Sequence, residues 1–305
     1  MVMAETKTKR TLRGCLVYWL KLGIFAFVAL YIAYFVVAIE YSVRPAPSEI
    51  CCRTPAEAGL AYEDVQFASA DGVMLHGWYI PSQNGAAIIL LHGYDNNRLQ
   101  MLDRASFLAQ QGYGVLLYDL RGHGESESDL RAFGWPDVPD VATAVAFLTN
   151  QPEVEAGRIG ILGFSVGGQV ALRAAAELPG IQAVVADGPA MVDNRDSPQP
   201  ESFIETVFYV GNFIVYTGTA VRTGIQTPLS IQETIATVSP KPVLLIAAGG
   251  ENSIERRMGE AYFAQAQEPK ELWLIPETGH GQGLAARPEE YAERVVSFFD
   301  KALLE

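Results

Sequence analysis

Cysteine and histidine are scarce in this chain, which leaves little material for a metal centre. Only three cysteines occur among 305 residues, Cys15, Cys51 and Cys52, and no Cys-x-x-Cys spacing is present. We interpret the adjacent pair as ordinary thiols, because neighbouring cysteines rarely bond each other and no ligand spacing accompanies them. The sequence therefore implies no metal and no organic cofactor.

Positive charge is also in short supply. The chain carries 22 lysines and arginines against 35 acidic residues, a formal net charge of −13, which argues against a nucleic-acid partner. The basic residues are concentrated at the start: residues 1–44 have a net charge of +4, so the remainder carries −17. An acidic body of this kind stays soluble and repels anionic polymers.

Charge is absent altogether from residues 22–39. Extending this run back to Cys15 adds only one charged residue, Lys21. The resulting stretch of about 20 apolar residues is enough to cross a hydrocarbon core of about 30 Å. We predict a single transmembrane anchor over 14–40. Four basic residues precede it, so residues 1–13 should be a cytoplasmic N-terminus and the body should lie outside the cytoplasm or in a lumen. Those residues are Lys7, Lys9, Arg10 and Arg13.

Two other interpretations of this run are weaker. A cleavable signal peptide would have a shorter apolar region and a small-x-small cleavage site, and no good site follows Ile39. A buried core helix would rarely be apolar on every face at the start of a chain. Residues 41–61 then form a linker, stiffened by Arg44-Pro45-Ala46-Pro47-Ser48.

The body, residues 62–305, alternates apolar runs with helical patterns. Segments 62–70 and 73–80 flank Ala70-Asp71-Gly72 and predict a hairpin. Continuous apolar runs, typical of strands buried on both faces, follow at 86–91, 115–118, 159–164, 183–186, 243–248 and 272–275. Helical patterns occur at 99–111, 138–150, 253–266 and 288–303. This order predicts an α/β fold with a mostly parallel sheet and helices on both faces.

The stretch 191–240 interrupts that alternation. It begins with polar residues and continues with aromatic residues at roughly helical spacing, from Phe203 to Tyr216. An insertion of this length is either a lid that contacts substrate or an element that packs on the core. A surface that rests on lipid is a third interpretation, given the predicted anchor.

The most informative motif is Gly163-Phe164-Ser165-Val166-Gly167, which follows a buried strand and precedes an alanine-rich helix. Glycine at both flanking positions permits a very tight turn, because side chains there would collide with neighbouring backbone. Ser165 is thereby placed at a helix N-terminus, where free N–H groups and the helix dipole favour a developing negative charge. This context is the one that a nucleophilic serine requires.

A serine nucleophile needs a general base, and His280 is the histidine whose position fits. It lies just after the last predicted strand, where loops at the carboxyl ends of parallel strands form a crevice. The other histidines, His76, His92 and His123, lie in the hairpin, at the end of an earlier strand and in a glycine-rich loop.

An acid must hold the imidazole in the correct tautomer, and two carboxylates are candidates. Glu251 is the first carboxylate after strand 243–248, and we expect Glu255 to begin the next helix. Asp187, at the end of strand 183–186, is the alternative. The tetrahedral oxyanion needs two N–H donors, for which Val166 and Tyr94 are the candidates.

These pieces resemble the α/β-hydrolase superfamily over residues 62 to 303. The resemblance is carried by His92-Gly93-Tyr94, by the segment from Asp119 to Ser126, by the serine motif and by Gly279-His280-Gly281. The hairpin is similar to that of the dienelactone-hydrolase-like and serine-aminopeptidase-like branches. The resemblance implies an eight-stranded sheet with a lid at 191–240, and it makes the glycine-rich loop around His123 structural.

By the same resemblance, Ser165 is the nucleophile, His280 the base, and Tyr94 with Val166 the oxyanion hole. Those branches usually place aspartate after the seventh strand, where this chain has Glu251 or, counted one residue later, Asn252. The expected activity is that of a membrane-anchored serine hydrolase acting on an ester or thioester. A peptidase or amidase acting on a short peptide, and a catalytically silent membrane-tethered binding module, are the alternatives.

Overall fold

A long N-terminal helix precedes the α/β body. The computed structural model describes residues 3–305, with side chains from residue 14 onward. Helix α1 spans Met3–Val43, and an 18-residue window within its part Gly14–Val43 has a mean hydropathy of 2.6. Only 6% of that apolar window is buried in the fold. Within the described residues, it is the one helix long and apolar enough to cross a membrane. The side chains of the predicted cytoplasmic segment 1–13 lie outside the described residues.

The predicted sheet is confirmed. Its eight strands lie in the spatial order β8-β7-β6-β5-β3-β4-β2-β1. β2 runs antiparallel to its neighbours β1 and β4, and the other pairs are parallel. The strands are β1 Glu63–Ala68, β2 Met74–Ile80, β3 Ala87–Leu91, β4 Gly114–Tyr118, β5 Ile159–Phe164, β6 Ala183–Asp187, β7 Val243–Ala248 and β8 Lys270–Ile275.

Helices cover both faces of this sheet, as the alternation of patterns predicted. They are α2 Leu102–Gln110, α3 Val138–Thr149, α4 Val166–Glu177, α5 Phe203–Thr223, α6 Ile231–Ile235, α7 Ile254–Gln265, α8 Gly283–Ala286 and α9 Pro288–Leu303. Two apolar cores result, one beneath α3, α4, α6 and α7 and the other beneath α2 and α9. The central strands are fully buried because both of their faces are covered.

The segment predicted as a linker packs against the body. Helix α1 continues to Val43, and Ala46–Pro47 then pairs in parallel with His123–Gly124. Arg131 ties the junction together, because its buried guanidinium donates to the carbonyl oxygens of Tyr41 (3.1 Å) and Arg44 (2.6 Å). The end of α1 is therefore fixed to the same edge of the sheet as the glycine-rich loop.

Candidate active site

Ser165 lies at a sharp turn between β5 and α4. Its backbone has φ 54° and ψ −116°, a conformation that costs a non-glycine residue about 1–3 kcal/mol. The surroundings enforce it: Ser165 N donates to Asp187 O at 2.9 Å, and Ser165 O accepts from three backbone N–H groups, those of Gly168, Gln169 and Ala190. Strain held in place by this many hydrogen bonds is a mark of a functional position.

The glycines on either side of the turn are sterically required. A Cβ on Gly163 would lie 2.0 Å from the carbonyl oxygen of Gly167, and one on Gly167 would lie 2.3 Å from that of Leu91. No side chain fits at these separations, so the backbone would have to move. The sequence pattern Gly-x-Ser-x-Gly is thus the direct consequence of how closely β5, α4 and β3 approach each other.

His280 lies beside this turn, in the loop between β8 and α8. Its ring packs on Phe164, the residue before Ser165, with ring centroids 4.8 Å apart. A Cβ on Gly188 would lie 3.0 Å from His280 Cε1. Within the described residues Ser165 Oγ makes no hydrogen bond, and the ring of His280 is hydrogen-bonded to Glu255 instead.

The partner of the imidazole is Glu255. His280 Nδ1 lies 2.7 Å from Glu255 Oε2, and Glu255 Oε1 accepts from the backbone N–H of Ala248 at 2.7 Å. Because a carboxylate only accepts, Nδ1 carries the proton and Nε2 keeps its lone pair. The hydrogen bond to Glu255 raises the pKa of His280 above its ordinary value, outweighing the opposite effect of burial.

The structure corrects the expected position of this acid. Glu251 is exposed in the loop after β7 and forms no hydrogen bond within the described part of the chain; Asn252 is also exposed. Ser253 caps α7 by accepting from Arg256 N, so the helix begins at Ile254 and Glu255 falls in its first turn, facing back towards the strand end. The signal that could have identified Glu255 is its place in the first turn, because helical side chains lean towards the N-terminal end of the helix, which here lies at the end of β7.

Asp187, the alternative acid, is occupied elsewhere. Its side chain is buried and accepts from Arg104 Nη2 at 2.5 Å and from the Tyr291 hydroxyl at 2.8 Å. These three groups join β6, α2 and α9 across one face of the sheet. Asp187 therefore has a structural partner, and it supports the site through its backbone carbonyl, which accepts from Ser165 N.

Two backbone N–H groups are available beside Ser165. Gly93 N donates to Gln100 Oε1 at 2.7 Å, whereas the next N–H, that of Tyr94, donates to no acceptor among residues 3–305. The N–H of Val166, the first residue of α4, is likewise unpaired in the described chain. These are the two N–H groups that the sequence predicts as oxyanion donors.

The Tyr94 side chain ties this loop to the end of α1. Its hydroxyl donates to the carbonyl oxygen of Ser42, and its ring stacks on Phe133 with centroids 5.3 Å apart. The guanidinium of Arg131 lies 4.2 Å from the centre of the Tyr94 ring and pairs with Asp95. This connection between α1 and the loop gave no signal in the sequence.

The two buried histidines, unlike the half-exposed His280, have structural partners. His92 accepts from Leu120 N through Nε2 and shares Nδ1 with the carbonyl oxygen of Gly93, and burial lowers its pKa to about 4. Burial likewise lowers the pKa of His123 to about 3, and its Nδ1 lies 2.9 Å from the carbonyl oxygen of Arg121. Both rings are neutral at ordinary pH and hold the glycine-rich loop in place.

Comparison with curated proteins places the chain among known sequences. A family model described as "Alpha/beta hydrolase family" matches residues 88–294. The uncharacterized protein YfhR of Escherichia coli (strain K12) is 29% identical over 254 residues, which cover 79% of this chain and 81% of YfhR. Thiohydrolase aneE of Aspergillus aculeatus is 36% identical over a shorter region of 118 residues, 37% of each chain.

Solved structures agree with the observed fold. The Pyrococcus furiosus esterase Pf2001 superposes with a TM-score of 0.72 at 26% identity, covering 86% of this chain and 98% of the esterase. A dienelactone hydrolase from Anabaena variabilis superposes with a TM-score of 0.58 at 23% identity, covering 80% and 99% respectively, and shows the shared fold alone.

Proposed function

Because the chain belongs to the alpha/beta hydrolase family, we propose that it is a membrane-anchored serine hydrolase that cleaves an ester or thioester through an acyl-enzyme on Ser165. The observation that carries this proposal is the strained Ser165 beside a His280–Glu255 pair at 2.7 Å. The names of two similar proteins, an esterase and a thiohydrolase, support this substrate class.

The geometry supports a two-step reaction. Ser165 Oγ attacks the acyl carbonyl while His280 Nε2 accepts its proton, and Glu255 stabilises the resulting imidazolium. The tetrahedral oxyanion accepts hydrogen bonds from the N–H groups of Tyr94 and Val166, each worth about 3 kcal/mol of barrier height. The imidazolium returns the proton to the leaving alkoxide or thiolate. Water, deprotonated by His280, then attacks the acyl-enzyme, and the imidazolium returns that proton to Ser165 Oγ as the acyl–oxygen bond breaks and the acid is released.

The anchor is supported by its contacts. Cleavage at the end of the apolar run, after Ile39, would remove Phe35 and Ile39, which pack so closely on α5 that a Cβ on Gly218 would lie 2.2 Å from Ile39 Cδ1. Since the end of α1 is built into the site, we propose that residues 14–40 remain as a single membrane span, with the N-terminus in the cytoplasm and the body outside it.

A fluorophosphonate probe tests the nucleophile in the full-length protein. The wild type should be labelled, Ser165→Ala should not, and Ser297→Ala, which alters an exposed serine on α9, should label like the wild type. Labelling that persists in Ser165→Ala contradicts the assignment. A folded wild type that never labels favours the silent binding module, and a panel of ester, thioester and peptide substrates separates esterase from peptidase activity.

A further inference from the structure

Helix α5 exposes an apolar surface to solvent. Thr219 is the one buried residue in the helix, and the large side chains Phe203, Phe208 and Phe213 are 82%, 63% and 57% exposed. Its outward stripe begins with Phe203, Val207 and Val210, spaced as one face of a helix. A helix that faces water normally presents polar residues there, so a contiguous apolar face indicates a partner.

The charges of α5 are turned away from this stripe. Glu205 pairs with Arg257 of α7 at 2.8 Å, and Arg222 pairs with Glu40 of α1 at 2.6 Å. No other charged residue occurs in the helix. The outward face thus carries no ion pair that would be desolvated on entering an apolar medium.

The partner is indicated by α1, which runs beside α5 in the same direction. A Cβ on Gly211 would lie 3.9 Å from the Phe35 ring, and one on Gly218 would lie 2.2 Å from Ile39 Cδ1. Residues 203–210 therefore extend past Phe35 towards the exposed apolar part of α1. These first two turns, about 12 Å long, continue the surface of the proposed membrane span.

Helix α5 also spans the candidate site. Near its start, Glu201 and Glu205 pair with Arg257, two residues beyond Glu255. Towards its end, Tyr216 packs on Phe133 with ring centroids 4.9 Å apart, and Phe133 stacks on Tyr94. The helix thus connects the acid side of the site with the oxyanion side.

We propose that the outward face of α5, centred on Phe203, Val207 and Val210, is immersed in the bilayer that α1 crosses, so that the site receives lipid-borne acyl substrates from the membrane. This inference rests on the proposed function of Ser165. Within the described residues α5 is too polar to cross a membrane, so it enters the outer leaflet only partway, as an interfacial helix does. Continuity with α1 favours lipid over a second copy of the chain.

Immersion is measured without any need for activity. The full chain, with Cys15, Cys51 and Cys52 replaced by serine, is given one fluorophore at Val207→Cys or, as the control on the other face of the sheet, at Ser297→Cys. In phosphatidylcholine vesicles the Val207 label should be quenched by doxyl-labelled lipid and protected from aqueous iodide, with the reverse at Ser297. Quenching of the Val207 label by iodide overturns the proposal, and so does protection from both quenchers, which would indicate a covering protein.

Substrate delivery is tested with charge on the outward face. Phe203→Glu with Val207→Glu should lower hydrolysis of a long-chain ester embedded in vesicles by roughly tenfold or more, while hydrolysis of a soluble short-chain ester in detergent stays within about twofold. Ser297→Glu should change neither rate. Equal effects on both substrates, or no effect, overturn the proposal. Loss of fluorophosphonate labelling in the wild type would instead refute the proposed function, so the two failures are distinguishable.

Discussion

The Glu255 carboxylate makes two hydrogen bonds, one with the imidazole of His280 and one with the backbone of β7. Its Oε2 lies 2.7 Å from His280 Nδ1, and its Oε1 accepts from Ala248 N at the same distance. The strand end thus fixes the carboxylate, and the carboxylate fixes the ring. A glutamate reaches this position from the first turn of α7, where a shorter aspartate would have to stand closer to the loop of His280.

Replacing this acid should change both the rate and the pH dependence of hydrolysis. We expect Glu255→Gln to lower kcat by about 10³-fold or more, because the imidazolium loses its counter-charge. The neutral imidazole is the active form, and its pKa is raised mainly by the hydrogen bond to Glu255. The acidic limb of the kcat/KM profile should therefore move to lower pH in the variant.

Glu251→Gln is the matched control, since Glu251 is exposed and lies four residues away in the same loop region. This variant should leave both the rate of hydrolysis of a soluble ester and the pH profile of kcat/KM unchanged. A large loss in Glu251→Gln together with a small one in Glu255→Gln would restore the acid originally expected from the sequence.

We expect Asp187 to contribute to the stability of the fold, whereas Glu255 contributes to the rate of hydrolysis. Asp187→Asn leaves the buried Arg104 without its counter-charge, which should cost about 3 kcal/mol and lower the melting temperature by roughly 10 °C. Differential scanning calorimetry measures the melting temperature. The control is Asp103→Asn, because Asp103 lies next to Arg104 on α2 but forms an exposed pair with Arg53. An Asp187→Asn variant that keeps its melting temperature but loses activity would indicate that Asp187 is the catalytic acid.

At this scale the sequence predicts the tight turn that steric demand requires, and it misses which carboxylate side chain turns towards the imidazole. Ser165 was recognisable because Gly163 and Gly167 admit no side chain. Glu255 was expected at the start of this helix, and α7 does begin one residue earlier, at Ile254; what the sequence did not give is the direction of its side chain, which turns back to the imidazole.

At the scale of elements, Arg131 joins the end of α1 to the loop that carries Tyr94. It donates to two carbonyl oxygens of the α1 junction, pairs with Asp95 and lies over the Tyr94 ring. Its side chain is 3% exposed, so the charge is held among fixed partners in a poorly hydrated place. The position of the Tyr94 N–H is thereby coupled to the packing of the proposed anchor.

Removing this link should slow catalysis more than it weakens substrate binding. In Arg131→Met the Tyr94 loop loses two of its supports, and a misplaced oxyanion donor should lower kcat by roughly tenfold or more with little change in KM. Arg158→Met, which breaks an exposed pair with Glu155, is the control and should be silent. A kcat in Arg131→Met equal to that of the wild type would show that the junction does not position the loop.

The strands of the sheet and the longer helices packed on it were predictable because their patterns are local, whereas the short helices α6 and α8 were not predicted. Continuous apolar runs gave β3, β5 and β7 nearly to the residue. The pairing of Ala46–Pro47 with His123–Gly124 and the contacts of Arg131 were not predictable. They depend on hydrogen bonds between segments about 80 residues apart, which leave no periodic trace in the sequence.

For the whole molecule, charge and hydropathy divide the chain into a basic start, an apolar helix and an acidic body. Residues 1–44 carry a net +4 and the remainder −17, with the apolar window of α1 lying almost wholly exposed in the fold. Composition suffices to predict this division. It does not predict that α5 lies along α1, because the hydropathy of α5 alone falls below that of a membrane span.

This division predicts the orientation in the membrane, since basic residues flanking a span stay on the cytoplasmic side. In the cysteine-free background, Ser297→Cys, at an exposed position on α9, should react with a membrane-impermeant maleimide in intact cells if the body lies outside the cytoplasm as proposed. A cysteine introduced at Thr8, among the basic residues of the predicted cytoplasmic segment, should react only after the cells are permeabilised. The reverse pattern would place the body in the cytoplasm. Recovery of the full chain in the soluble fraction would show that the helix does not anchor it, and the lipid-facing role of α5 would then lose its basis.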